Sequence, residues 1–289
     1  MKIAFLGTGL MGAPMIRSLA NSGHDLTIWN RSPEKSDVLE GGTIQVAADQ
    51  ATAVACSELV ISMLTDGKAV QSVASSCKPG AGHIWIDMSS TKPAEARSLA
   101  AKLAGTETRF MDAPVSGGTK GAQNASLAIM CGGTETLFRE VEPVLSSMGR
   151  PTLVGGVGSG QLAKLANQAI VGVTIAAVAE ATLLLEAGGA DADAVRAALK
   201  GGFADSIMLQ QHGARMSRRD FKPGGLSSVQ IKDLENVLDE AGDLVLPTTR
   251  HVLELYRAYV NDHGGGPRDH SGLFEELLAM NRDNLASMT

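Results

Sequence analysis

The spacing of apolar and polar positions divides the chain into two styles. Up to about Val154, short apolar runs alternate with stretches in which apolar residues recur every three or four positions. The runs Lys2–Leu6, Leu26–Trp29, Leu59–Leu64, His83–Ile86, Phe110–Asp112 and Leu127–Cys131 predict strands. Gly12–Asn21, Lys92–Ala104 and Glu135–Ser147 between them predict helices. Strand and helix alternating in this order predict an α/β domain built on a parallel, doubly wound sheet. From about Gly160 to Gly188 the chain reads as one long helix, stopped by Gly188-Gly189. Further helical runs follow at Asp191–Leu199, Ser206–Met216, Val229–Ala241 and Thr248–Asp262, with no convincing strand among them. The expected organisation is an α/β domain over residues 1–158 and an all-α domain over residues 159–289, joined by the long helix at about 160–188.

The first strand ends in Gly7-Thr8-Gly9-Leu10-Met11-Gly12, a G-x-G-x-x-G spacing at a strand-to-helix turn. Alone the pattern is weak. In this context it predicts a Rossmann dinucleotide-binding loop. Gly7 allows the tight turn, Gly9 clears the approach of a pyrophosphate, and Gly12 lets the helix pack close to the strand. The helix N-terminus then faces the phosphates. The second strand ends in Asn30-Arg31-Ser32, where an NAD-preferring site usually places Asp or Glu. An amide does not repel a 2′-phosphate, Arg31 can pair with one and Ser32 can donate to it, which favours NADP and leaves NAD open. Met63, Leu64 and Thr65, with Ser90 a strand further on, fall at strand ends where such sheets bind their ligands.

Composition narrows the class. Of 289 residues, 44% are hydrophobic and 19% charged, which is globular rather than disordered. The formal net charge is −6 and no basic stripe interleaved with aromatics is present, so no nucleic-acid partner is expected. Cys56, Cys77 and Cys131 form neither a C-x-x-C pair nor a Cys/His metal spacing, so no metal is expected and a reducing compartment is. Lys2 leads at once into an apolar run that ends at Gly7, too short for a signal-peptide core. The apolar stretch Ala169–Ala179 is shorter than a membrane span. A cytoplasmic protein with no membrane partner is expected.

Three more segments carry candidate chemistry. Asp112-Ala113-Pro114-Val115-Ser116-Gly117-Gly118 follows a strand end and can present a hydroxyl and adjacent N–H groups to a carboxylate. Lys164 and Asn167 lie three apart in the long helix and share one face, set among apolar residues where lysine is uncommon. Lys232-Asp233 lies within a later helix. Each has a plain structural alternative: a turn, a snorkelling lysine and a solvated charge pair.

Taken together, in order and over nearly the whole length, these motifs resemble the β-hydroxyacid dehydrogenase family. It includes 3-hydroxyisobutyrate dehydrogenases, tartronate semialdehyde (2-hydroxy-3-oxopropionate) reductases and glyoxylate/succinic semialdehyde reductases. The resemblance rests on Gly7–Gly12 with Met15, Asp112–Gly118, Gly160–Gln168 and Ile231–Leu234. It implies that Lys164 is the catalytic lysine and that Asn167 holds substrate beside it. It also implies that Ser116, Gly117 and Gly118 bind the substrate carboxylate, that Lys232 lies near the nicotinamide, and that Ser90 contacts the cofactor. Many members carry a second asparagine after Asn167; here it is Gln168, placed with the substrate residues. The Asn-Gln form, Gly201–Ala204, Asp220–Gly224 and Asp269-His270-Ser271 look most like the tartronate semialdehyde reductases, whereas Asn30-Arg31-Ser32 resembles the NADPH-using semialdehyde reductases.

The expected reaction interconverts a small semialdehyde acid and its hydroxy acid. An ordinary lysine is protonated at neutral pH, so Lys164 would donate the proton in reduction and take it back in oxidation. A non-catalytic NADP-binding module would lack the lysine, and imine reductases usually carry another residue there. 6-Phosphogluconate dehydrogenase has a much longer helical half. A homodimer or homotetramer is expected, with a second subunit covering Ile170–Ala179 and each active site at the cleft between domains.

Overall fold

Strand β1 (Lys2–Leu6) is buried from its second residue onward, and β4 (Leu59–Ser62) and β5 (Ile84–Asp87) are buried throughout. Continuous apolar runs of this kind suit strands covered on both faces. In the computed structural model, which describes residues 1–286 apart from the side chain of Leu285, they form the centre of a nine-stranded sheet. The remaining strands are β2 (Asp25–Trp29), β3 (Ile44–Val46), β6 (Arg109–Asp112), β7 (Val115–Ser116), β8 (Leu127–Gly132) and β9 (Gly149–Gly155). The order β3-β2-β1-β4-β5-β6 is parallel throughout, the doubly wound arrangement whose direction reverses at β1.

The doubly wound parallel sheet is as expected, and beyond β6 it gains a mixed edge. There β8 runs antiparallel to the end of β6 and to β7, and parallel to β9. Between β7 and β8 the return through α6 (Gly118–Gln123) is only ten residues, shorter than a parallel crossover usually needs, so these two strands pair antiparallel. Side chains alternate across the sheet. Ile3, Phe5, Leu26 and Ile28 enter the core on one face, whereas Ala4, Leu6, Val60 and Trp85 enter the core on the other.

The helices of this unit are α1 (Gly12–Asn21), α2 (Glu34–Asp37), α3 (Gln50–Ala55), α4 (Gly67–Cys77), α5 (Pro93–Ala104), α6 and α7 (Glu135–Leu145). The first turn of α4 is closed by Asp66, that of α7 by Thr134, and that of α5 by Glu95, whose carboxylate accepts from Lys92 N. The chain then enters α8 (Ser159–Ala187), 29 residues long. Its start is fixed by the buried Asp112. The two carboxylate oxygens accept from Gly158 N at 2.7 Å and Gln161 N at 2.8 Å. A Cβ on Gly132 or Gly160 would fall 2.5 Å or 2.8 Å from that carboxylate, so both positions need glycine.

Chain contacts divide the molecule into Met1–Lys164 and Leu165–Thr289, with the division inside α8. The second unit continues with α9 (Ala192–Ala198), α10 (Ala214–Arg218), α11 (Ser227–Ala241), α12 (Pro247–His263), α13 (Leu273–Met280) and α14 (Arg282–Ala286). The run expected as a single helix at Ser206–Met216 is interrupted by a wider π-type segment at Leu209–Gly213. Its core joins Ile175 and Ala179 of α8 to Leu234, Tyr256, Tyr259, Leu273 and Phe274. Taken as a whole, α8 is long and apolar enough to cross a membrane by length and composition, which the shorter run Ala169–Ala179 did not suggest.

Candidate active site

The glycine loop is shaped by backbone contacts at two of its three glycines. Gly7 has φ +110°, and a Cβ there would lie 2.2 Å from Met63 O. A Cβ on Gly12 would lie 1.9 Å from Gly7 O, so close packing of α1 on β1 demands glycine. Gly9 differs, because a Cβ there meets nothing within 4 Å. The protein itself does not require glycine at 9; a pyrophosphate approaching the backbone does. The start of α1 has no side-chain cap; Ala13 N is met by Gly9 O, and no side chain competes with a ligand for the N–H of Gly12 ahead of it. These two features fit a dinucleotide, and a bound nicotinamide would supply the hydride chemistry.

A cavity of about 500 Å³ opens at the carboxyl ends of β1, β2 and β4. It brings together Gly7, Gly9, Leu10, Met11 and Gly12 with Asn30, Arg31, Ser32, Met63, Leu64 and Thr65. Thr8 is buried behind the loop, its hydroxyl 3.4 Å from that of Ser36. Asn30 lines the cavity, yet its side chain is committed to the backbone. Its Oδ1 accepts from Thr8 N at 3.2 Å and its Nδ2 donates to Ser32 O at 3.0 Å. Asn30 therefore staples the end of β2 to the glycine loop. The positive charges at this end are Arg31 and Lys35, both exposed on the rim. Lys35 was not singled out from sequence, although four-residue spacing from Arg31 across the start of α2 was the available signal. Trp29, Gln50, Ala69, Ser72, Val73 and Ser76 also line the cavity and carried no such signal.

Ser90 is not on this cavity. It lies in a loop held by Gln161 from the first turn of α8. Gln161 Nε2 donates to Ser89 O at 2.8 Å and its Oε1 accepts from Thr91 N at 3.0 Å, so the clamp grips both neighbours of Ser90. Lys164 follows three residues after Gln161, on the same helix face. Behind the loop lies Asp87, wholly buried, which accepts from Ser62 Oγ at 2.9 Å and Ser89 N at 3.1 Å. Burial pushes its carboxyl up to about 6 despite these bonds, with Asp112 adding to the rise.

Ser116 ends β7, and Gly117 (φ +133°) and Gly118 (φ +60°) turn the chain into α6. A Cβ on Gly118 would meet open space. The loop thus offers a hydroxyl and uncapped N–H groups together, as a carboxylate-binding loop requires.

In the second unit, Asn167 and Gln168 stand on α8, and Lys232 and Asp233 stand on α11. Asn167 Nδ2 donates to Gln168 Oε1, and Gln168 Nε2 donates to Asp233 Oδ2. Lys232 is half-exposed, with Nζ 3.7 Å from Asp233 Oδ1. It is not a lining residue of the cavity at the glycine loop. A group with metal-binding donors, His212, Asp269 and His270, also lies here. Asp269 Oδ1 already accepts from Ser271 N and Oγ, and Arg215 Nε stands 3.4 Å from it. The guanidinium of Arg215 thus already stands beside the carboxylate, and the group forms an internal ion cluster.

A glycine loop at the reversal point of a doubly wound sheet, followed by a helical unit reached through a lysine-bearing helix, defines a nicotinamide-dependent oxidoreductase. The family model for the NAD-binding domain of 6-phosphogluconate dehydrogenase matches residues 2–172, and that for the NAD-binding of NADP-dependent 3-hydroxyisobutyrate dehydrogenase matches residues 158–277. The 2-hydroxy-3-oxopropionate reductase of Escherichia coli (strain K12) is 39% identical, over 99% of this chain and 100% of its own. A probable 3-hydroxyisobutyrate dehydrogenase-like mitochondrial protein of Arabidopsis thaliana is 32% identical, over 99% of this chain and 87% of its own. The solved 3-hydroxyisobutyrate dehydrogenase of Mycobacterium tuberculosis with L-serine superposes with a TM-score of 0.87 at 30% identity, covering 96% of this chain and 98% of that one. The chain belongs to the β-hydroxyacid dehydrogenase family and is an NAD(P)-dependent enzyme acting on hydroxy acids.

Proposed function

We propose that the enzyme is a tartronate semialdehyde reductase, converting 2-hydroxy-3-oxopropionate to glycerate with NADPH. The full-length similarity to a 2-hydroxy-3-oxopropionate reductase carries the choice of substrate over 3-hydroxyisobutyrate. The cofactor preference rests on the rim of the cavity. Arg31, Ser32 and Lys35 offer two cations and a hydroxyl to a 2′-phosphate, and no carboxylate ends β2 to select the free ribose hydroxyl.

A nicotinamide dinucleotide held at the Gly7–Gly12 loop would supply the hydride. Lys164, as an ammonium, donates a proton to the carbonyl oxygen as negative charge develops there, and accepts it back in the reverse direction. Asn167 holds that oxygen by its amide. Ser116 and the amides of Gly117 and Gly118 fix the substrate carboxylate, and Gln168 closes the polar wall beside Asn167. No step calls for a metal.

The observation that carries this mechanism is the pairing of Lys164 and Asn167 on one face of α8. Lys164→Ala is expected to lower turnover by at least about a thousandfold, while NADPH binding, followed by fluorescence titration, stays intact. Near-normal turnover in that variant overturns the assignment. Initial rates with NADPH and NADH against tartronate semialdehyde, succinic semialdehyde, glyoxylate and 3-hydroxyisobutyrate decide the substrate and cofactor.

The exposed apolar positions Ile170 and Leu184 of α8 support a homodimer or homotetramer in which a second copy covers this helix. Light scattering that finds only a 29.9 kDa species refutes it. We place the protein in the cytoplasm, on its sparse unpaired cysteines; Cys77 and Cys131 are buried, which pushes both thiols up to about 12.

A further inference from the structure

The amides of Asn167 and Gln168 form a directed chain that ends on a buried carboxylate. Asn167 Nδ2 donates to Gln168 Oε1 at 2.8 Å, and Gln168 Nε2 donates to Asp233 Oδ2 at 2.6 Å. Asp233 is only 5% exposed. The sense of both bonds follows from one chemical fact: a carboxylate accepts and does not donate. Gln168 must turn its NH2 towards Asp233, which turns its oxygen the other way. Because that oxygen accepts, Asn167 turns its NH2, and not its own oxygen, towards it. The amide of Asn167 is thereby held in one of its two flip states, leaving Oδ1 and one N–H for a ligand.

The backbone supports the same geometry. A Cβ on Gly172 would lie 2.8 Å from Gln230 Nε2 and 3.2 Å from Leu234 Cδ2, so α11 packs closely over α8 where these side chains meet. Gln230 Nε2 also donates to Gln168 O at 3.3 Å. The neighbouring Lys232 engages Asp233 far more loosely, at 3.7 Å and from a half-exposed side chain. The short bond of Asp233 is the one to Gln168.

We propose that Asp233 is a positioning residue, which acts through Gln168 to fix the amide of Asn167 with its oxygen and one N–H turned to the substrate. The proposal rests on the reading of Asn167 as a substrate contact. It also gives Gln168 a role that its neighbour's side chain cannot fill. Gln168 relays orientation from a buried charge to the group that touches the reacting oxygen.

The test is a double-mutant cycle on the full-length enzyme, with tartronate semialdehyde and saturating NADPH. Asp233→Asn keeps the volume but admits either amide orientation, because an asparagine side chain both donates and accepts. It is expected to lower kcat about tenfold, with KM for the substrate, NADPH affinity and Tm close to wild type. On an Asn167→Ala background the same substitution is expected to have no further effect, because no amide remains to be oriented. An undiminished tenfold loss on that background overturns the proposal, since a merely structural role for Asp233 acts whatever residue stands at 167. Wild-type turnover of Asp233→Asn beside a defective Asn167→Ala refutes the positioning role alone. Wild-type turnover of Asn167→Ala refutes the reading of Asn167 and the proposal with it. Should Asp233→Asn not fold, Gln168→Leu breaks the same chain without touching the buried charge. The same tenfold loss and the same non-additivity are then required.

Discussion

Asp87→Asn isolates the cost of burying one charge beneath the loop that carries Ser89 and Ser90. The substitution preserves volume, and the amide oxygen can keep accepting from Ser62 Oγ and Ser89 N. Burial pushes the carboxyl from 3.8 to about 6. At about 1.36 kcal/mol per pKa unit, that rise corresponds to about 3 kcal/mol. Between pH 3.8 and about 6 the folded protein holds a proton that the unfolded chain has released. Stability therefore falls as pH rises through this window, the full cost is present above it, and below it the cost vanishes. Asparagine has no such dependence, but its NH2 group costs about 1 to 2 kcal/mol if it finds no acceptor. The expected net gain at pH 7.5 is about 1 to 2 kcal/mol, and between pH 4 and 7.5 the difference between variant and wild type should move by about 3 kcal/mol in favour of the variant. Urea unfolding followed by tryptophan fluorescence measures it, because both tryptophans, Trp29 and Trp85, lie in the first unit. His270 is pushed down to about 4, chiefly by burial, and has the opposite slope: its contribution is lost as pH falls from 6.5 towards 4. Both proteins share that slope, so it cancels in the difference. A gap that does not change with pH, or that widens towards acid, refutes the reasoning.

Two further predictions concern the cofactor cavity. Gly12→Ala, whose Cβ would meet Gly7 O at 1.9 Å, is expected to cost about 1 to 3 kcal/mol of stability together with NADPH binding. Gly9→Ala, whose Cβ meets open space, should leave stability within about 0.5 kcal/mol and still weaken NADPH, and equal melting temperatures for the two variants would contradict this. Arg31→Ala combined with Lys35→Ala should weaken NADPH by about tenfold to a hundredfold, from lost charge-assisted bonds. NADH affinity should barely change, and parallel losses for both cofactors in fluorescence titration would argue against a 2′-phosphate subsite.

The parallel core was legible because its strands are unbroken apolar runs: β1, β4 and β5 stand out within a few residues of their observed limits. Strand β3 is three residues long beside Gly41-Gly42, and β7 is a pair of residues after Pro114. Both lie below the length at which alternation can be seen. Strand β9 is an edge strand that carries Pro151 and begins and ends in glycine, so it reads as a loop. The glycine loop could be read from local spacing, because its geometry is local. The roles of Asp112, Gln161 and Asn30 could not, because each acts on backbone groups 22 to 72 residues away. Asn30 was noticed for the charge it lacks, whereas the structure employs it as a staple. Lys164 and Asn167 were recognised from their spacing and the surrounding motif, but the anchor on Asp233 required the packing of α11 on α8 at Gly172.

The way the helices begin also decides where negative charge can settle. Among the described residues, five helices of eight or more residues begin in the first unit: α1, α4, α5, α7 and α8. Four have their opening N–H groups or first-turn backbone occupied by the protein's own oxygens, from Asp66, Glu95, Thr134 and Asp112. The first turn of α1 alone has no side-chain oxygen at its start, where only the backbone oxygen of Gly9 accepts from Ala13 N. An anion entering this unit thus meets competitors already seated at every other long-helix start. The chain selects its phosphate site by pre-emption as much as by attraction, and a net charge of −6 is no obstacle to an enzyme whose cofactor carries several negative charges.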